Sequence, residues 1–468
     1  MSIMHAPLTV APSAFWTLAR VVDALGEGFG DDRAVRAVCT DTRAVFVGDL
    51  FVALKGEHFD AHDFLAEAVK KGAIALVVND ASRAAGLGVP VYEVPDTLHA
   101  LGALARYRRR AWGKPVIAVG GSNGKTSTKE LIRAALSVRL DVHATQGNLN
   151  NQIGVPLTLL ALPNNADVAV IEVGTNMPGE IALLRDIVEA NIAVITTVQE
   201  EHLERFGDFA GVMAEEASLL DGVPTAIVPV SEAGLIVESK KRAHRTVTAG
   251  LVAGDVNASA HGMNPDGSGW LSVGGVRIDV PLRGAHNLRN ALLAIAVAAD
   301  CGISAADAGA AIAAIDLASL PSMRSSVTPL GQALLINDAY NSNPGSARAA
   351  IALLGDVGAG RQQVIVLGTM RELGAAAERT HREIAEAALA SGADVVAGIG
   401  EFGPALQAVG ADDARIVTAL DVDDVWPLLA SRLKPNAAIL LKASRGVRLE
   451  RMLPLLNAWA GIAPTPPV

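Results

Sequence analysis

Short apolar runs alternate with stretches of helical spacing along most of the chain. Near the start, the runs at residues 50–54 and 74–78 predict buried strands, and residues 62–71 have the apolar spacing of a helix. A basic stretch at 106–110 comes shortly before Gly113 and Pro115, which are typical of a linker. We interpret the basic stretch as the solvated face of a helix. These features predict an α/β domain over residues 1–113.

The second segment opens with an apolar run at residues 116–119, followed by a glycine-rich loop and by helical spacing over 127–138. Further strand-like runs, with helical patterns between them, lie at residues 168–172, 192–198 and 226–230. This alternation predicts a parallel sheet. Glycines punctuate the pattern over 254–280, which indicates antiparallel strands, and a helix is expected over 287–299. We assign residues 114–325 to this central domain.

The third segment repeats the alternation of strand and helix. Strand-like runs lie at residues 333–337, 363–367, 394–399, 415–418 and 437–441. Because helical patterns separate them, we expect a second doubly wound, Rossmann-like domain over residues 326–468. The predicted fold class is therefore α/β with three domains.

Composition narrows the class of protein. The 468 residues are 50% hydrophobic and 19% charged, which excludes extensive disorder. The 39 Lys and Arg against 49 Asp and Glu give a net charge of −10, which argues against nucleic acid or an anionic membrane as partner. Two cysteines are too few for a disulfide framework. With no leader evident and no apolar run near the ~20 residues of a membrane helix, we expect a cytoplasmic protein. No sequence feature bears on oligomeric state, and we take the protein to be a monomer.

The strongest local signal is a glycine-rich loop between a predicted strand and a predicted helix. The residues of this site are Gly121, Ser122, Asn123, Gly124, Lys125, Thr126 and Ser127. Glycines let backbone N–H groups surround phosphates, the Lys125 ammonium adds positive charge, and the Thr126 hydroxyl can ligate Mg²⁺. Val119 stands where the full Walker A pattern has glycine, so the loop is a shortened form. It predicts a nucleoside triphosphate site; the alternative is a chance turn before a helix.

Polar residues follow two of the predicted central strands. Glu172 ends the strand at 168–172, and His202 comes after the strand at 192–198. Ligands bind at the carboxyl ends of strands in parallel sheets, so we expect both side chains to face one crevice. A hard cation would take the carboxylate oxygen, and a neutral imidazole could complete its shell. The alternatives for His202 are solvent exposure and a structural hydrogen bond.

An asparagine-rich segment adds a further candidate. Asn148 and Asn150 belong to the sequence Asn-Leu-Asn-Asn at residues 148–151, which we place between two helices. Amide side chains suit a turn or a helix cap. The functional alternative is polar contact with a substrate near the phosphates.

Longer motifs resemble those of a known family. The chain reads Thr-Gln-Gly-Asn-Leu-Asn-Asn-Gln-Ile-Gly at 145–154 and Glu-Val-Gly-Thr-Asn-Met-Pro-Gly-Glu-Ile at 172–181. It continues with Gly-Ala-His-Asn-Leu-Arg-Asn at 284–290 and Asp-Ala-Tyr-Asn-Ser-Asn-Pro at 338–344. Together with the glycine-rich loop and Asp-Thr-Arg at 41–43, these motifs resemble the Mur ligase family over nearly the whole chain.

The resemblance implies a first domain that holds a UDP-sugar, a central ATPase domain and a C-terminal domain that closes over ATP and brings the incoming amine. It implies an ATP- and Mg²⁺-dependent ligase of peptidoglycan precursor synthesis. Its substrates would be UDP-N-acetylmuramoyl-tripeptide and D-alanyl-D-alanine. The γ-phosphoryl group would first move to the tripeptide carboxylate, giving an acyl phosphate that the amine then attacks.

The resemblance also implies roles for individual residues. Lys125, Glu172 and His202 would be catalytic, with Thr126 on one Mg²⁺ and Glu172 and His202 on a second. The nucleotide contacts beyond the loop would be Asn287, Asn290, Arg324 and Asp338, with Asn287 at adenine, Arg324 at the phosphates and Asp338 at the ribose. The expected substrate-binding residues are Asp41, Thr42, Arg43, Asn148, Asn150, Tyr340, Asn341, Asn343, Lys442, Ser444 and Arg445.

Two positions depart from the family pattern. Many members have a lysine that becomes carbamylated and reaches Mg²⁺, and this sequence has Glu216 there. Glu216 would supply a permanent carboxylate on a shorter side chain; the alternative is a solvated helix residue. The family has an acid at the position of Thr369. The contact that this acid would make with the amine substrate is therefore not made by a carboxylate here.

Other activities remain as competing hypotheses. One is another ligase of the same fold, such as a tripeptide-forming muramyl ligase or a folylpolyglutamate synthase. The first usually has Tyr-Ala-His where this chain has Asp-Ala-Tyr at 338–340, and the second lacks a uridine-binding domain. A different class of protein, a non-catalytic nucleotide-regulated binding protein, would not need Lys125, Thr126, Glu172 and His202 together.

Overall fold

The structure is a computed structural model that describes residues 15–26, 28–57, 59–317 and 326–462. Its internal contacts divide the chain into two compact units. The first contains the chain up to Val119 together with Leu140–Thr175 and Gly179–Ala193. The second contains Gly120–Arg139, Asn176–Pro178 and the chain from Val194 onward.

The first unit begins with a small parallel sheet. Its strands are β1 (Val38–Cys39), β2 (Leu50–Val52), β3 (Ala75–Val78) and β4 (Val91–Glu93), paired in that order. Helices α1 (Leu18–Leu25) and α2 (Leu65–Lys70) accompany them. Phe51, Leu65 and Leu76 lie in one buried cluster, because strands of a parallel sheet are covered on both faces. The strands predicted near residues 50 and 75 are confirmed.

Helix α3 (Thr97–Trp112) carries the basic stretch, and its interpretation as a solvated face is wrong for two residues. Arg108 and Arg109 are buried. Both guanidinium groups donate to main-chain carbonyls, Arg109 to those of Val188 and Glu189 at 2.9 and 2.8 Å. A buried carbonyl needs a donor, and a guanidinium supplies several in fixed geometry. These arginines therefore satisfy buried backbone instead of facing solvent.

The central sheet has seven strands. They are β5 (Val116–Gly120), β6 (Val142–Ala144), β7 (Val168–Glu172), β8 (Ile192–Ile195), β9 (Thr225–Pro229), β10 (Arg245–Gly250) and β11 (Val256–Asn257). Their order is β11-β10-β9-β8-β5-β7-β6, with β5–β7, β6–β7, β9–β10 and β10–β11 parallel. The order reverses between β5 and β8, the kind of position where open α/β sheets bind ligands.

Helices connect the central strands, as the alternating pattern predicts. They are α4 (Lys125–Ser137), α5 (Gly154–Leu160), α6 (Glu180–Val188), α7 (Leu203–Phe206), α8 (Phe209–Ala217) and α9 (Ala233–Arg242). The asparagine-rich segment at 148–151 follows β6 and precedes α5, so its prediction between two helices is wrong on one side. The strand β6 was missed because it has only three residues, none of them fully buried.

A small antiparallel sheet follows in the second unit. It contains β12 (Ala260–Met263), β13 (Gly269–Val273) and β14 (Val276–Val280), which confirms the antiparallel pattern predicted there. Helices α10 (Ala285–Asp300) and α11 (Ala305–Ala313) come next.

The chain ends in a six-stranded sheet, also in the second unit. Its strands are β15 (Ser326–Leu330), β16 (Ala333–Asp338), β17 (Gln363–Gly368), β18 (Val395–Ile399), β19 (Ile416–Ala419) and β20 (Ala438–Lys442), in the order β15-β16-β20-β17-β18-β19. Only β15 is antiparallel to its neighbour. The helices are α12 (Pro344–Val357), α13 (Ala377–Ala390), α14 (Phe402–Gly410), α15 (Val422–Ala430) and α16 (Met452–Trp459).

Each face of this last sheet has its own core. Ile365 and Leu367 of β17 belong to one buried cluster, whereas Val364 and Val366 belong to the other. Alternate residues of a strand point to opposite faces, so helices must cover both sides. The doubly wound arrangement predicted for the third segment is confirmed. No helix within the described ranges combines the length and the apolar character needed to cross a membrane.

Candidate active site

The glycine-rich loop lies between β5 and α4, as predicted. Gly121 has a φ of +112°, and a Cβ atom there would stand 2.4 Å from Thr196 Oγ1, so no larger residue fits. Gly124 has a φ of +86° immediately before the helix. Lys125 and Thr126 begin α4, where the helix dipole and the first backbone N–H groups favour an anion.

Hydrogen bonds fix the loop against the segment that follows β8. Thr196 Oγ1 donates to the Asn123 carbonyl at 2.6 Å, and Ser122 N donates to the Thr197 carbonyl at 2.7 Å. Gln199 N donates to Ser122 Oγ at 2.9 Å. The loop conformation is therefore set by bonds to a neighbouring strand end.

The Lys125 ammonium is folded back over the loop. Its Nζ donates to the carbonyls of Gly121 and Ser122. The positive charge thus lies on the backbone that would surround a phosphate, which is the place the sequence predicts for it.

A buried carboxylate stands beside this loop. Glu216, on α8, accepts a hydrogen bond from Gly121 N through Oε2 at 2.8 Å. Its Oε1 is buried and has no hydrogen-bond partner within the part of the chain that the structure describes. Glu216 is 1% exposed, so the alternative view of it as a solvated helix residue is wrong. Burial raises the pKa of Glu216 to about 7, although the nearby Lys125 ammonium opposes the rise.

This carboxylate fits the requirements of a hard cation. Mg²⁺ prefers oxygen ligands, and it usually binds proteins through one or two carboxylates, with phosphate oxygens and waters completing its shell. Glu216 Oε1 is a buried oxygen of that kind next to the phosphate loop. No group of three or more His, Cys, Asp or Glu side chains is gathered as a metal cage in the described ranges. A carboxylate beside a phosphate loop suits a cation that also takes ligands from a nucleotide.

In the first unit, the structure brings Glu172 together with Asn150. Glu172 is fully buried at the end of β7, as the strand pattern predicts. Its Oε1 accepts a hydrogen bond from Asn150 Nδ2 at 2.8 Å, and its backbone N donates to Thr145 Oγ1 at 2.9 Å. Gly174 N donates to the Asn150 carbonyl at 2.8 Å. The asparagine segment, which includes Asn148, thus packs on the strand end that carries the carboxylate.

His202, in the second unit, makes a contact that sequence reasoning missed. It precedes α7, and its ring Nδ1 pairs with Glu372 Oε2 in the loop after β17. Glu204 N donates to the Glu372 carbonyl at 3.0 Å. The only sequence signal was the acid in Met-Arg-Glu-Leu-Gly at 370–374, beside the departure at Thr369. Thr369 itself accepts a hydrogen bond from Glu401 N at 3.0 Å, so it holds the turn after β18.

Asn343 ties the phosphate loop to α12. Asn343 is buried and caps the N-terminus of α12 through Ser346 N at 2.9 Å. Its side-chain amide and that of Asn123 donate to each other at 3.0 Å. Asn343 Nδ2 also donates to Glu201 Oε2 at 3.4 Å. Asn343 was predicted to bind substrate, and its observed partners include the loop itself.

The two predicted asparagines of α10 lie one behind the other against the loop. A Cβ atom on Gly124 would stand 3.0 Å from the Asn290 amide. Asn290 Nδ2 donates to Asn287 Oδ1 at 3.0 Å, and Asn287 Nδ2 donates to the Arg283 carbonyl at 2.7 Å. Both asparagines are buried, so their amides are held in one orientation.

The predicted residues of the last sheet converge at the carboxyl ends of β16 and β20. Asp338 and Lys442 are directly opposite in register and form an ion pair of 2.7 Å. Lys442 Nζ also donates to the Asn341 carbonyl at 2.7 Å. The Arg445 guanidinium lies 5.7 Å from the centre of the Tyr340 ring, within cation–π range.

Ser444 belongs to the same cluster. Its Oγ accepts a hydrogen bond from Arg371 N at 2.9 Å, which fixes the loop that carries Glu372.

The predicted motif of the first sheet forms a tight turn. Asp41 caps the turn Thr42–Ala44 and accepts two guanidinium bonds from Arg43, at 2.9 and 2.6 Å. The side-chain hydrogen bond from Arg43 holds the pKa of the Asp41 carboxyl below its usual range, although burial opposes this. Arg324, predicted at the phosphates, lies outside the described residues.

Comparisons with known proteins identify the family of this chain. The "Mur ligase family, catalytic domain" model matches residues 34–109, the "Mur ligase middle domain" model matches 119–298, and the "Mur ligase, glutamate ligase domain" model matches 323–445. UDP-N-acetylmuramoyl-tripeptide--D-alanyl-D-alanine ligase of Escherichia coli (strain K12) is 36% identical over 461 residues, which cover 94% of this chain and 98% of that protein. The chain belongs to the Mur ligase family.

Further relatives support the same assignment of this Mur ligase. The enzyme of that name from Bacillus subtilis (strain 168) is 33% identical, over 90% of this chain and 93% of that protein. A crystal structure of MurF from Acinetobacter baumannii matches with a TM-score of 0.85 and 28% identity, over 95% of this chain and 99% of that one. MurF ligase from Thermotoga maritima, solved in complex with ADP, matches with a TM-score of 0.81 and 26% identity, over 92% of this chain and 99% of that one. This Mur ligase thus has the three-domain α/β architecture predicted from its sequence.

Proposed function

We propose that this Mur ligase joins D-alanyl-D-alanine to UDP-N-acetylmuramoyl-tripeptide at the expense of ATP, which yields the pentapeptide precursor of peptidoglycan. The observation that carries the proposal is the likeness to ligases named for this reaction over 94% of the chain. The preformed phosphate loop beside a buried carboxylate supports it from within the structure. A relative solved in complex with ADP supports nucleotide binding by this chain.

The phosphate loop supplies the charge that the first step needs. A carboxylate is a poor acyl donor, and its attack on the γ-phosphorus brings two anions together. Lys125 and the N-terminus of α4 would neutralise that charge as the phosphoryl group moves. The tripeptide carboxylate gains the phosphoryl group and ADP leaves. The amine of D-alanyl-D-alanine then attacks the acyl carbon, loses a proton and expels inorganic phosphate.

One Mg²⁺ would be held by Thr126 and a second by Glu172, His202 and Glu216, each together with oxygens of the nucleotide. When bound, these ions supply further neutralisation of the phosphate charge. The buried oxygen Glu216 Oε1 is the donor that supports this assignment most directly. A permanent carboxylate at Glu216 would take the role of the carbamylated lysine expected at that position.

The remaining residues fit a division of labour between three domains, 1–113, 114–325 and 326–468. The first would bind the UDP moiety through Asp41, Thr42 and Arg43. The central domain would bind ATP, with Asn287 at the adenine and Asn290 behind Gly124, and would contact the peptide through Asn148 and Asn150.

The last domain would hold the nucleotide ribose and the incoming dipeptide. Asp338 is assigned to the ribose, and Arg324, at the end of the central domain, to the phosphates. The dipeptide is assigned to the cluster of Tyr340, Asn341, Asn343, Lys442, Ser444 and Arg445. The short contacts within this cluster support a shared binding surface at the ends of β16 and β20.

We further propose that the enzyme acts in the cytoplasm, since a UDP-linked sugar and ATP are both cytoplasmic substrates, and that it is a monomer. Light scattering on the purified protein should give a mass near 48.2 kDa, and a mass near twice that value would contradict the monomer.

Phosphate release tests the proposed activity and separates it from its competitors. The assay supplies ATP and Mg²⁺ with UDP-N-acetylmuramoyl-tripeptide, in the presence or absence of D-alanyl-D-alanine. We expect rapid release only when both substrates are present. Release with UDP-muramyl-dipeptide and a single amino acid would indicate the tripeptide-forming ligase, and release with a folate and glutamate would indicate the folate enzyme. Nucleotide binding without release in any mixture would indicate a binding protein.

A further inference from the structure

Two residues with a left-handed backbone face each other in the second unit. Within the described ranges, four non-glycine residues have a positive φ, and His202 (+50°) and Glu372 (+65°) are two of them. Side chains other than glycine rarely adopt this conformation, and where they do the surrounding structure holds them there, often at functional sites. His202 and Glu372 are partners although 170 positions separate them in the chain. One constraint therefore acts on both backbones.

Several contacts hold these two residues together. His202 Nδ1 pairs with Glu372 Oε2, and Glu204 N donates to the Glu372 carbonyl at 3.0 Å. A Cβ atom on Gly374 would stand 3.1 Å from Glu204 Cα, so the two backbones approach closely. The ring of Phe206 meets the imidazole edge-on, with centroids 6.4 Å apart. The imidazole is therefore fixed on one side by a carboxylate and on another by an aromatic ring.

The loop that carries Glu372 is itself anchored. Met370 N donates to His381 Nε2 at 2.9 Å, and Arg371 N donates to Ser444 Oγ at 2.9 Å. His381 and Ser444 are both buried. The Glu372 backbone therefore takes its position from groups of the last sheet, including one assigned to the dipeptide site.

We propose that Glu372 is a positioning residue for His202. A carboxylate can only accept, so the ring donates from Nδ1, and in the neutral imidazole this places the lone pair on Nε2. A histidine that ligates a metal commonly donates its other N–H to a carboxylate, which fixes the tautomer and the ring orientation. Glu372 thereby presents Nε2 of His202 to the cation. This inference rests on the metal role assigned to His202 in the proposed function.

The contact between Glu372 and His202 joins two segments of the chain. Glu372 belongs to the segment 326–468 and His202 to the segment 114–325. The affinity for the cation then depends on the contact between these two segments, and a change that separates them would weaken the metal site without altering any ligand.

Mn²⁺ serves as the probe, because it replaces Mg²⁺ and is paramagnetic. Mn²⁺ is titrated into the full-length protein with saturating ADP, and its ¹⁴N coupling is measured by electron spin-echo envelope modulation. The wild-type protein should show imidazole ¹⁴N modulation, and His202→Ala should lose it. Glu372→Ala should raise the Mn²⁺ dissociation constant by about 10- to 100-fold and weaken the modulation. Glu372→Asp should recover most of the Mn²⁺ affinity and most of the ¹⁴N modulation.

Glu378→Gln is the matched control, because Glu378 is an exposed acid on α13 whose partner, Arg382, lies on the same helix. It should bind Mn²⁺ as the wild type does. Wild-type affinity and modulation in Glu372→Ala, with loss in His202→Ala, would overturn the positioning role alone. Full ¹⁴N modulation in His202→Ala would remove the metal role of His202 and the inference with it. The ligase proposal is judged separately, by phosphate release.

Discussion

The side-chain amides of Asn123 and Asn343 donate to each other at 3.0 Å, although 220 positions separate them in the chain. Asn123 belongs to the phosphate loop, and Asn343 caps α12. The nucleotide-binding loop and the first helix of the last sheet therefore share one hydrogen-bonded pair. A nucleotide bound at the loop can therefore affect α12 through this pair. Replacement of either asparagine should alter the position of the other.

Two replacements of Asn343 distinguish its role as the cap of α12 from its hydrogen bonds to Asn123 in the phosphate loop. Asn343→Ser keeps an oxygen that can cap α12 but is too short to reach Asn123, so the KM for ATP should rise by about 3- to 10-fold with little loss of stability. Asn343→Ala loses the cap as well and should be less stable than the serine variant by about 1 kcal/mol in urea unfolding. Equal stability of the two variants, or an unchanged KM for ATP in Asn343→Ser, would contradict this division.

Arg109 and Arg110 are adjacent and should respond very differently to truncation. Arg109 is buried and donates to the carbonyls of Val188 and Glu189, which Arg109→Ala would leave without these donors. We expect Arg109→Ala to cost about 2–4 kcal/mol in the free energy of unfolding. Arg110→Ala removes an exposed ion pair to Glu189 and should cost less than about 1 kcal/mol. Similar unfolding midpoints for the two variants would show that the buried arginine is not structural.

Lys125 should be needed for chemistry and dispensable for folding. Its ammonium contacts only loop carbonyls among the hydrogen bonds described, so Lys125→Ala removes charge at the phosphates without opening a core. Phosphate release should fall by about 10²- to 10³-fold or more. The free energy of unfolding should change by no more than about 0.5 kcal/mol. Lys240 is an exposed lysine on α9, so Lys240→Ala is the control and should keep full activity. Near-normal turnover in Lys125→Ala would refute the assignment of the loop.

Glu216 should set the Mg²⁺ requirement. Glu216→Gln keeps the shape but removes the charge that Oε1 offers, so at limiting Mg²⁺ the initial rate should fall by about 10²-fold and recover partly at high Mg²⁺. Glu216→Asp keeps the charge, so its initial rate at limiting Mg²⁺ should lie between those of the wild type and Glu216→Gln. Because no carbamate has to form, wild-type activity should be independent of added bicarbonate, whereas Glu216→Lys should regain activity only with it. Superimposable Mg²⁺ titrations for wild type and Glu216→Gln would exclude a metal role.

Much of this architecture follows from local sequence pattern. Strands such as β5 and β7 are unbroken apolar runs because both faces of a parallel sheet are covered, and the position of Glu172 at a strand end follows directly. The phosphate loop is equally local, because Gly121 and Gly124 serve backbone angles that only glycine adopts easily.

The residues that sequence reasoning missed depend on long-range contacts. Glu372 meets His202 across 170 positions, and no local pattern marks that pairing. Arg108 and Arg109 look like surface charge until the carbonyls that they satisfy are known. Glu216 was singled out from the sequence by resemblance, but its burial has no local signal, and the structure supplies its partner Gly121 from a distant strand end.

The proposed reaction requires the tripeptide carboxylate to be phosphorylated before the amine attacks it. We would prepare UDP-N-acetylmuramoyl-tripeptide with ¹⁸O in its terminal carboxylate and follow the reaction with ATP, Mg²⁺ and D-alanyl-D-alanine by mass spectrometry. We expect a UDP-muramyl-pentapeptide product and inorganic phosphate that carries one ¹⁸O atom, because the oxygen that bridges carbon and phosphorus leaves with the phosphate. Pentapeptide formed with unlabelled phosphate, or ¹⁸O-free phosphate without pentapeptide, would contradict it.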